Sequence, residues 1–209
     1  MFAERVYLVL AGVILAGGKS SRMGVDKSSL ILPASQISLL EHCQNKLALI
    51  CAENVFISGA NHPDALLDLV PNCGPLAGVY SVVNQLQKQN SQINEIVVVP
   101  VDMPDIRYAD LDYLVKMGRE SQSLCCFYKC FLPLYIPLTT EVIEYLSALF
   151  APQTTEPALS NKQAQYALKR MINELQGRQI AVLKGAQLNN INTPEQWKQR
   201  CAGHSISKV

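Results

Sequence analysis

The chain has little charge and almost no imbalance of it. Across 209 residues, 18 Lys and Arg stand against 17 Asp and Glu, for a net charge of +1. That leaves no global basic field, so a duplex nucleic-acid partner is not implied. The apolar stretch 6–16, preceded by Arg5, is too short for a membrane-spanning helix, and it leads into a basic glycine loop rather than a cleavage site. It reads as a buried strand in a cytoplasmic protein that uses no membrane. Paired CxxC spacing is absent among the seven cysteines, and no nearby His completes a zinc set around Cys125, Cys126 and Cys130. Reduced thiols fit better than a disulfide scaffold or a metal site. The chain also lacks a linker, a repeat or a low-complexity tract. A single domain over 1–209 is expected, with a short leader at 1–6 and a frayed tail at 203–209.

What is present is an alternation. Residues 7–15 form a continuous apolar run, as for a strand covered on both faces. Leu39, Leu40, Cys43, Leu47 and Ile50 then recur at helical spacing. A short strand at 55–57 ends at Ser58-Gly59, and Leu76, Val79, Tyr80, Val83 and Leu86 mark a helix begun by Gly74-Pro75. The strand 96–99 follows. Such a βαβαβα series predicts an α/β fold: a doubly wound, mostly parallel sheet with helices on both faces. Ligands of such sheets bind at the C-terminal ends of the strands. Further on, strands are expected at 124–128, 133–136 and 179–183, and helices at 140–150 and 162–175. Thr193 is placed to cap a last helix whose first turn starts with Pro194.

Two segments follow strands and carry chemistry. In the first, Gly17-Gly18-Lys19-Ser20-Ser21-Arg22 runs on through Met23-Gly24-Val25-Asp26 to Lys27. Glycines let the backbone turn and approach a ligand, and successive N–H groups can point at phosphate oxygens. Arg22 can contact phosphate in a bidentate manner, with Lys27 as a point charge. The spacing fits neither the dinucleotide fingerprint G-x-G-x-x-G nor the Walker pattern. The second segment is Val101-Asp102-Met103-Pro104. Its Asp102 suits a hard cation such as magnesium, although Asp before a turn is equally common as a cap. Asn190 and Asn192, just before Thr193, can position a substrate or merely order the loop before the last helix. His42 reads as structural, with His62 in a turn and His204 in the tail.

From Leu15 to Lys27 the chain resembles the signature L-A-G-G-x-S-x-R-M-G-x-D-K of nucleotidyltransferases of the molybdenum cofactor guanylyltransferase type, with every fixed position matched. Gly74-Pro75-Leu76-Ala77-Gly78 looks like the family's G-P-L-A-G, Asp102-Met103-Pro104 its D-x-P, and Asn190-Ile191-Asn192-Thr193-Pro194 its N-x-N-T-P. The resemblance spans nearly the whole chain, apart from 140–188. It implies a Rossmann-like nucleotidyltransferase fold, GTP as substrate and magnesium, or manganese in its place. It further implies transfer of GMP to the terminal phosphate of molybdopterin or molybdenum cofactor, with release of pyrophosphate, and contacts with other maturation proteins. By the same resemblance Leu15, Ala16, Gly17 and Gly18 contact the nucleotide, and Gly74, Pro75, Leu76 and Gly78 bound the base pocket. Arg22 and Lys27 hold phosphates, Asp102 holds the metal, and Asn190 and Asn192 face the acceptor. Asp68 matches the acidic residue before G-P-L-A-G, Ser58 stands where the family tends to carry Asn, and Leu132 where Gln or His is usual. Neither the loop nor Asp102 reads a base, so three other readings stay open: CTP onto molybdopterin, an NTP onto a sugar or alcohol phosphate, and a non-catalytic nucleotide-binding protein.

Overall fold

Burial of both faces of the first and fourth strands sets the architecture. The structure is a computed structural model that describes residues 8–17, 23–59, 62–71, 73–150 and 167–205. Strands β1 (Leu10–Leu15) and β4 (Glu95–Pro100) pair in parallel, from Leu10 opposite Glu95 to Leu15 opposite Pro100. Ala11, Val13, Ile96 and Val98 point into one core layer, and Leu10, Ile14, Val97 and Val99 into the other. Side chains alternate across a strand. A run that buries both faces therefore shows no polar alternation in its sequence.

Helices α2 (Pro75–Lys88), α4 (Thr140–Phe150) and α5 (Leu168–Glu174) cover the first layer. Helices α1 (Leu39–Cys51) and α3 (Tyr108–Ser121) cover the second, where Trp197 of α6 (Pro194–Ser205) also packs. The remaining strands are β2 (Val55–Ser58), β3 (Ala65–Leu66), β5 (Cys125–Phe127), β6 (Cys130–Pro137) and β7 (Arg178–Ile180). The seven-stranded order is β3-β2-β1-β4-β6-β5-β7. From β1 the chain moves outward through β2 and β3, then returns to the other side of β1 at β4. The strand order thus reverses between β1 and β4, and a crevice opens at their C-terminal ends.

The doubly wound, mostly parallel sheet is as expected, with one reversal. Strand β6 runs antiparallel to both β4 and β5, whereas β7 is again parallel to β5. Strands β5 and β6 form a hairpin turning at Tyr128-Lys129, with Lys129 at φ 58°. That turn lacks the Asn-Gly or Asp-Gly signal of tight hairpins, so the pairing is silent in the sequence. The helix expected over 162–175 is observed as Leu168–Glu174, its first part lying outside the described residues. The strand expected at 179–183 ends at Ile180, leaving Val182 exposed. No helix of the described residues is long and apolar enough to cross a membrane. All seven cysteines are free thiols.

At the opposite end of β4 from the crevice, Glu95 is fully buried. Its carboxylate accepts from the Arg119 guanidinium of α3 and, at 2.7 Å, from the Tyr135 hydroxyl of β6. Burial, together with this bond to Glu95, pushes the Tyr135 phenol well up. Removing the cation would strand a buried carboxylate. Arg119→Met is expected to destabilise the fold by about 3 kcal/mol, the low end for a broken buried pair because Arg119 is partly solvated. Urea unfolding checks this, and Glu95→Gln in the same background should recover part of the loss.

Candidate active site

At the crevice lies a cavity of about 680 Å³. Its floor is the end of β1, where Leu15, Ala16 and Gly17 face it. The backbone here is fixed by its neighbour: the N–H groups of Ala16 and Gly17 both donate to the Ser58 carbonyl, at 2.9 and 3.1 Å. Beyond Ser58 the chain turns through Gly59 at φ 77°, and a Cβ on Gly59 would lie 2.7 Å from the Gly17 Cα. Two glycines at adjoining strand ends thus allow the backbones to touch. Gly59 has no role in the sequence reading, although it follows the expected strand directly.

One side of the cavity is built by Ser58, Asp68 and the start of α2. Ser58 is buried, and its hydroxyl donates to Asp68 Oδ1 at 2.9 Å. Burial pushes the Asp68 carboxyl above its ordinary value of 3.8, and the Ser58 hydroxyl draws it partly back. The loop carrying Asp68 is tied to α2 through Ser81, whose hydroxyl accepts from the Leu69 N–H at 2.9 Å and donates to the Ala77 carbonyl at 2.8 Å. Gly74, Pro75 and Gly78 line the wall. A Cβ on Gly78 would lie 2.5 Å from Ser58 Oγ, so this glycine makes room for the Ser58–Asp68 pair. Leu76 departs from its neighbours and from the expected contact: its side chain is fully buried in the core, and it does not line the cavity.

The other side is polar and charged. Lys27 opens a 3₁₀ turn, Lys27–Ser29, capped by Asp26, whose Oδ1 accepts from the Ser28 N–H and hydroxyl at 2.9 and 2.7 Å. That cap explains why Asp precedes Lys, a role the sequence reading did not assign. The Lys27 ammonium donates to Asp102 Oδ2 at 2.7 Å and to Asn192 Oδ1 at 2.8 Å. Asn190 Nδ2 donates to Asp102 Oδ1 at 2.9 Å, and the Ile191 N–H to the Asp102 carbonyl at 2.8 Å. Asn192 thus reaches the site through Lys27, while Asn190 itself lines the cavity. The segment is held by a capping box: Gln196 N–H donates to Thr193 Oγ1 at 3.3 Å, and Gln196 Oε1 accepts from the N–H groups of Asn192 and Thr193. Thr193 is the expected cap, and the answering Gln196 went unnoticed in the sequence.

Structure therefore gathers Leu15, Ala16, Gly17, Lys27, Ser58, Asp68, Gly74, Pro75, Gly78, Asp102 and Asn190 around one cavity. Gly18 and Arg22 lie outside the described residues. Gly59, Pro71, Pro100, Val101 and Leu132 complete the lining, and of these the sequence had singled out only Leu132, as a departure from the family pattern. Apolar residues of this kind carry no signal of their own in a sequence. His42 contacts the Pro104 carbonyl and stays out of the cavity, as a structural histidine should.

A reversed-order α/β sheet whose crevice holds glycine backbone, a lysine and a strand-end aspartate defines a protein of the nucleotidyltransferase class. The model of the MobA-like NTP transferase domain matches residues 12–184, and the chain belongs to that family. It is 37% identical to a molybdenum cofactor guanylyltransferase of Xanthomonas euvesicatoria pv. vesicatoria, over 90% of this chain and 92% of that one. The molybdopterin-guanine dinucleotide biosynthesis protein A of Archaeoglobus fulgidus shares the fold with TM-score 0.68 at 18% identity, over 93% of this chain and 98% of that one. A CMP:2-keto-3-deoxy-manno-octonic acid synthetase, solved with CTP, shares it with TM-score 0.64 at 14% identity, over 94% of this chain and 98% of that one. The fold therefore serves enzymes named for different bases.

Gly59→Ala combines a left-handed φ with a contact no real Cβ sustains. It is expected to cost about 2 kcal/mol or more, read as a lower urea midpoint.

Proposed function

We propose that the protein transfers GMP from GTP to the terminal phosphate of molybdopterin or molybdenum cofactor, releasing pyrophosphate. The observation that carries this reading is the division of one cavity into an acidic base end at Asp68 and a Lys27–Asp102 phosphate end. The guanylyltransferase name of the Xanthomonas relative supports it.

At the base end, guanine offers two neighbouring donors, its N1–H and its exocyclic amine. A carboxylate accepts both. Ser58 holds Asp68 Oδ1, which orients the other oxygen. Adenine and cytosine present no such donor pair, so the carboxylate favours guanine. At the phosphate end, beside the end of β1, the Lys27 ammonium supplies the positive charge that a triphosphate requires. An oxygen of the acceptor phosphate attacks the α-phosphorus. The bond from that phosphorus to the bridging oxygen breaks, and pyrophosphate leaves with the electron pair. The attacking phosphate is already ionised, so alignment and charge neutralisation carry the reaction without a strong base or a covalent intermediate.

Asp102 fits a magnesium or manganese ion. Each of its carboxylate oxygens accepts one hydrogen bond from the protein and keeps lone-pair capacity. No group of three or more His, Cys, Asp or Glu surrounds it among the described residues, so phosphate oxygens and water would complete the shell. When bound, the metal supplies charge neutralisation at the α-phosphate. We place the enzyme in the cytoplasm, where its free thiols stay reduced.

Pyrophosphate release, measured with magnesium, molybdopterin and each of the four NTPs in turn, tests this reading. Release with GTP alone supports it, CTP preference transfers the protein to the sibling activity, and no nucleotide binding removes the central claim. Asp102→Ala is expected to lower transfer by about three orders of magnitude with the fold intact. Lys27→Met should weaken both triphosphate binding and transfer. Asp68→Asn should reduce the preference for GTP over ATP by about 10- to 100-fold, the worth of a charged hydrogen bond. Only ionised Asp68 accepts both guanine donors, and burial raises its pKa. The GTP preference should therefore be lost as pH falls, beginning at a higher pH than an ordinary aspartate would give. Calorimetric titration of GTP and ATP across that range reads the effect.

A further inference from the structure

The Asp102 loop carries little hydrogen bonding of its own. After β4 ends at Pro100, the turn bonds Met103 N–H to Pro100 carbonyl and Ile106 N–H to Met103 carbonyl are both long, at 3.4 Å. Pro104 has no N–H to offer. Yet Val101, Met103 and Ile106 are buried, so the carbonyls between them need donors from elsewhere. The Ile191 N–H reaches the Asp102 carbonyl, and one residue of α1 serves two others. The Lys46 ammonium donates to the Pro104 carbonyl at 2.5 Å and to the Ile106 carbonyl at 2.6 Å. His42, one helical turn earlier on the same face, meets the Pro104 oxygen through Nε2 at 2.9 Å. Since a carbonyl only accepts, Nε2 carries the proton. On the far side of the loop, Arg200 of α6 grips Asp105 with Nε and a terminal nitrogen, at 2.8 to 3.1 Å.

Lys46 is an expensive choice for this place. Its neighbours on α1, Cys43 and Leu47, are core residues, and a small apolar cavity beside it is walled by Leu39, Val99 and Leu111. An ammonium there gives up hydration, which an aliphatic side chain would not. The two loop carbonyls are what its charge is spent on. We infer that Lys46 is a positioning residue: from outside the cavity it fixes the loop 102–106 against α1 and so sets where the Asp102 carboxylate stands relative to Lys27 and Asn190. Outer partners that orient a metal-binding or reacting group commonly matter by about 10- to 100-fold. The inference rests on the role proposed for Asp102 above.

The test compares wild type, Lys46→Met and Lys46→Arg. Methionine keeps the unbranched apolar stem and removes the donors, whereas arginine restores donors to both carbonyls. Manganese is titrated into the GTP-loaded proteins and followed by electron paramagnetic resonance, and kcat and the GTP KM are measured with molybdopterin. Lys46→Met is expected to lower kcat and manganese affinity together, by about 10-fold or more, with the GTP KM nearly unchanged and Lys46→Arg recovering most of both. A folded Lys46→Met protein with wild-type kcat and manganese affinity would overturn the inference. So would a loss shared equally by the GTP KM, which marks general loosening. If Lys46→Met does not fold, Lys46→Gln, which keeps one amide donor, is judged by the same two outcomes. A wild-type protein that binds neither GTP nor manganese would instead remove the guanylyltransferase reading, and the Lys46 role with it.

Discussion

The ion pair between Lys27 and Asp102 ties together segments that the chain keeps far apart. Lys27 is 75 residues from Asp102 and 165 from Asn192, yet one ammonium bonds to both. Both side chains of the pair are largely withdrawn from water, 17% and 14% exposed. A pair so placed loses hydration that its mutual attraction alone does not restore, and the additional hydrogen bonds decide whether it holds. Asn190 and Asn192 provide them, so the C-terminal segment is part of the site rather than a trailing loop. On the proposed reading, an arriving triphosphate offers the same ammonium a richer set of acceptors, and the groups that will handle it are already assembled.

That assembly depends on the sheet beneath it. The register of β1 against β4 brings Leu15 level with Pro100, so the loops leaving the two strands start side by side. On the other flank, the contact of Gly17 with Gly59 draws the ends of β1 and β2 together and brings Ser58 to the cavity wall. Gly78 then leaves the volume that the Ser58 hydroxyl occupies. Small residues here act by what they leave empty: backbone approaches backbone, and a buried hydroxyl reaches a carboxylate. The charged end is built the other way, from long side chains that cross gaps between loops.

The rigidity of the site comes from outside it as well. The Asp102 loop is backed by α1 through Lys46 and His42, by α6 through Arg200, and by the segment before α6 through the Ile191 N–H. A loop with a proline and long turn bonds has weak preferences of its own, and its shape is imposed by three neighbours. On the proposed reading, placement of the Asp102 carboxylate matters more than in a site with many ligands, because no group of three or more His, Cys, Asp or Glu surrounds it among the described residues.

Much of this was legible in the sequence, by reasons that can be stated. Strands β1, β2 and β4 and the helices α1 and α2 showed because apolar runs and helical periodicity are local patterns, whereas the two-residue β3 and the helix α3 were not expected. Lys27 and Asp102 stood out because each follows a motif-bearing strand end, and the structure brings both to the cavity. The hairpin at Tyr128-Lys129 did not, since its turn carries no glycine or asparagine and the strand pairing is a long-range choice. For Leu76 the helical period pointed to the core and the motif to the base pocket, and the side chain follows the period, because a motif does not say which way a side chain turns. Asp26, Gln196 and Lys46 each act through a backbone group, and a sequence does not display where backbone groups will need partners. Sequence by itself determined the fold class and the presence of a lysine and an aspartate beyond two strand ends, since these follow from residue type and spacing. Tertiary structure alone decided that Asn192 meets Lys27 and that Ser58 meets Asp68, because only folding brings distant atoms within hydrogen-bonding reach.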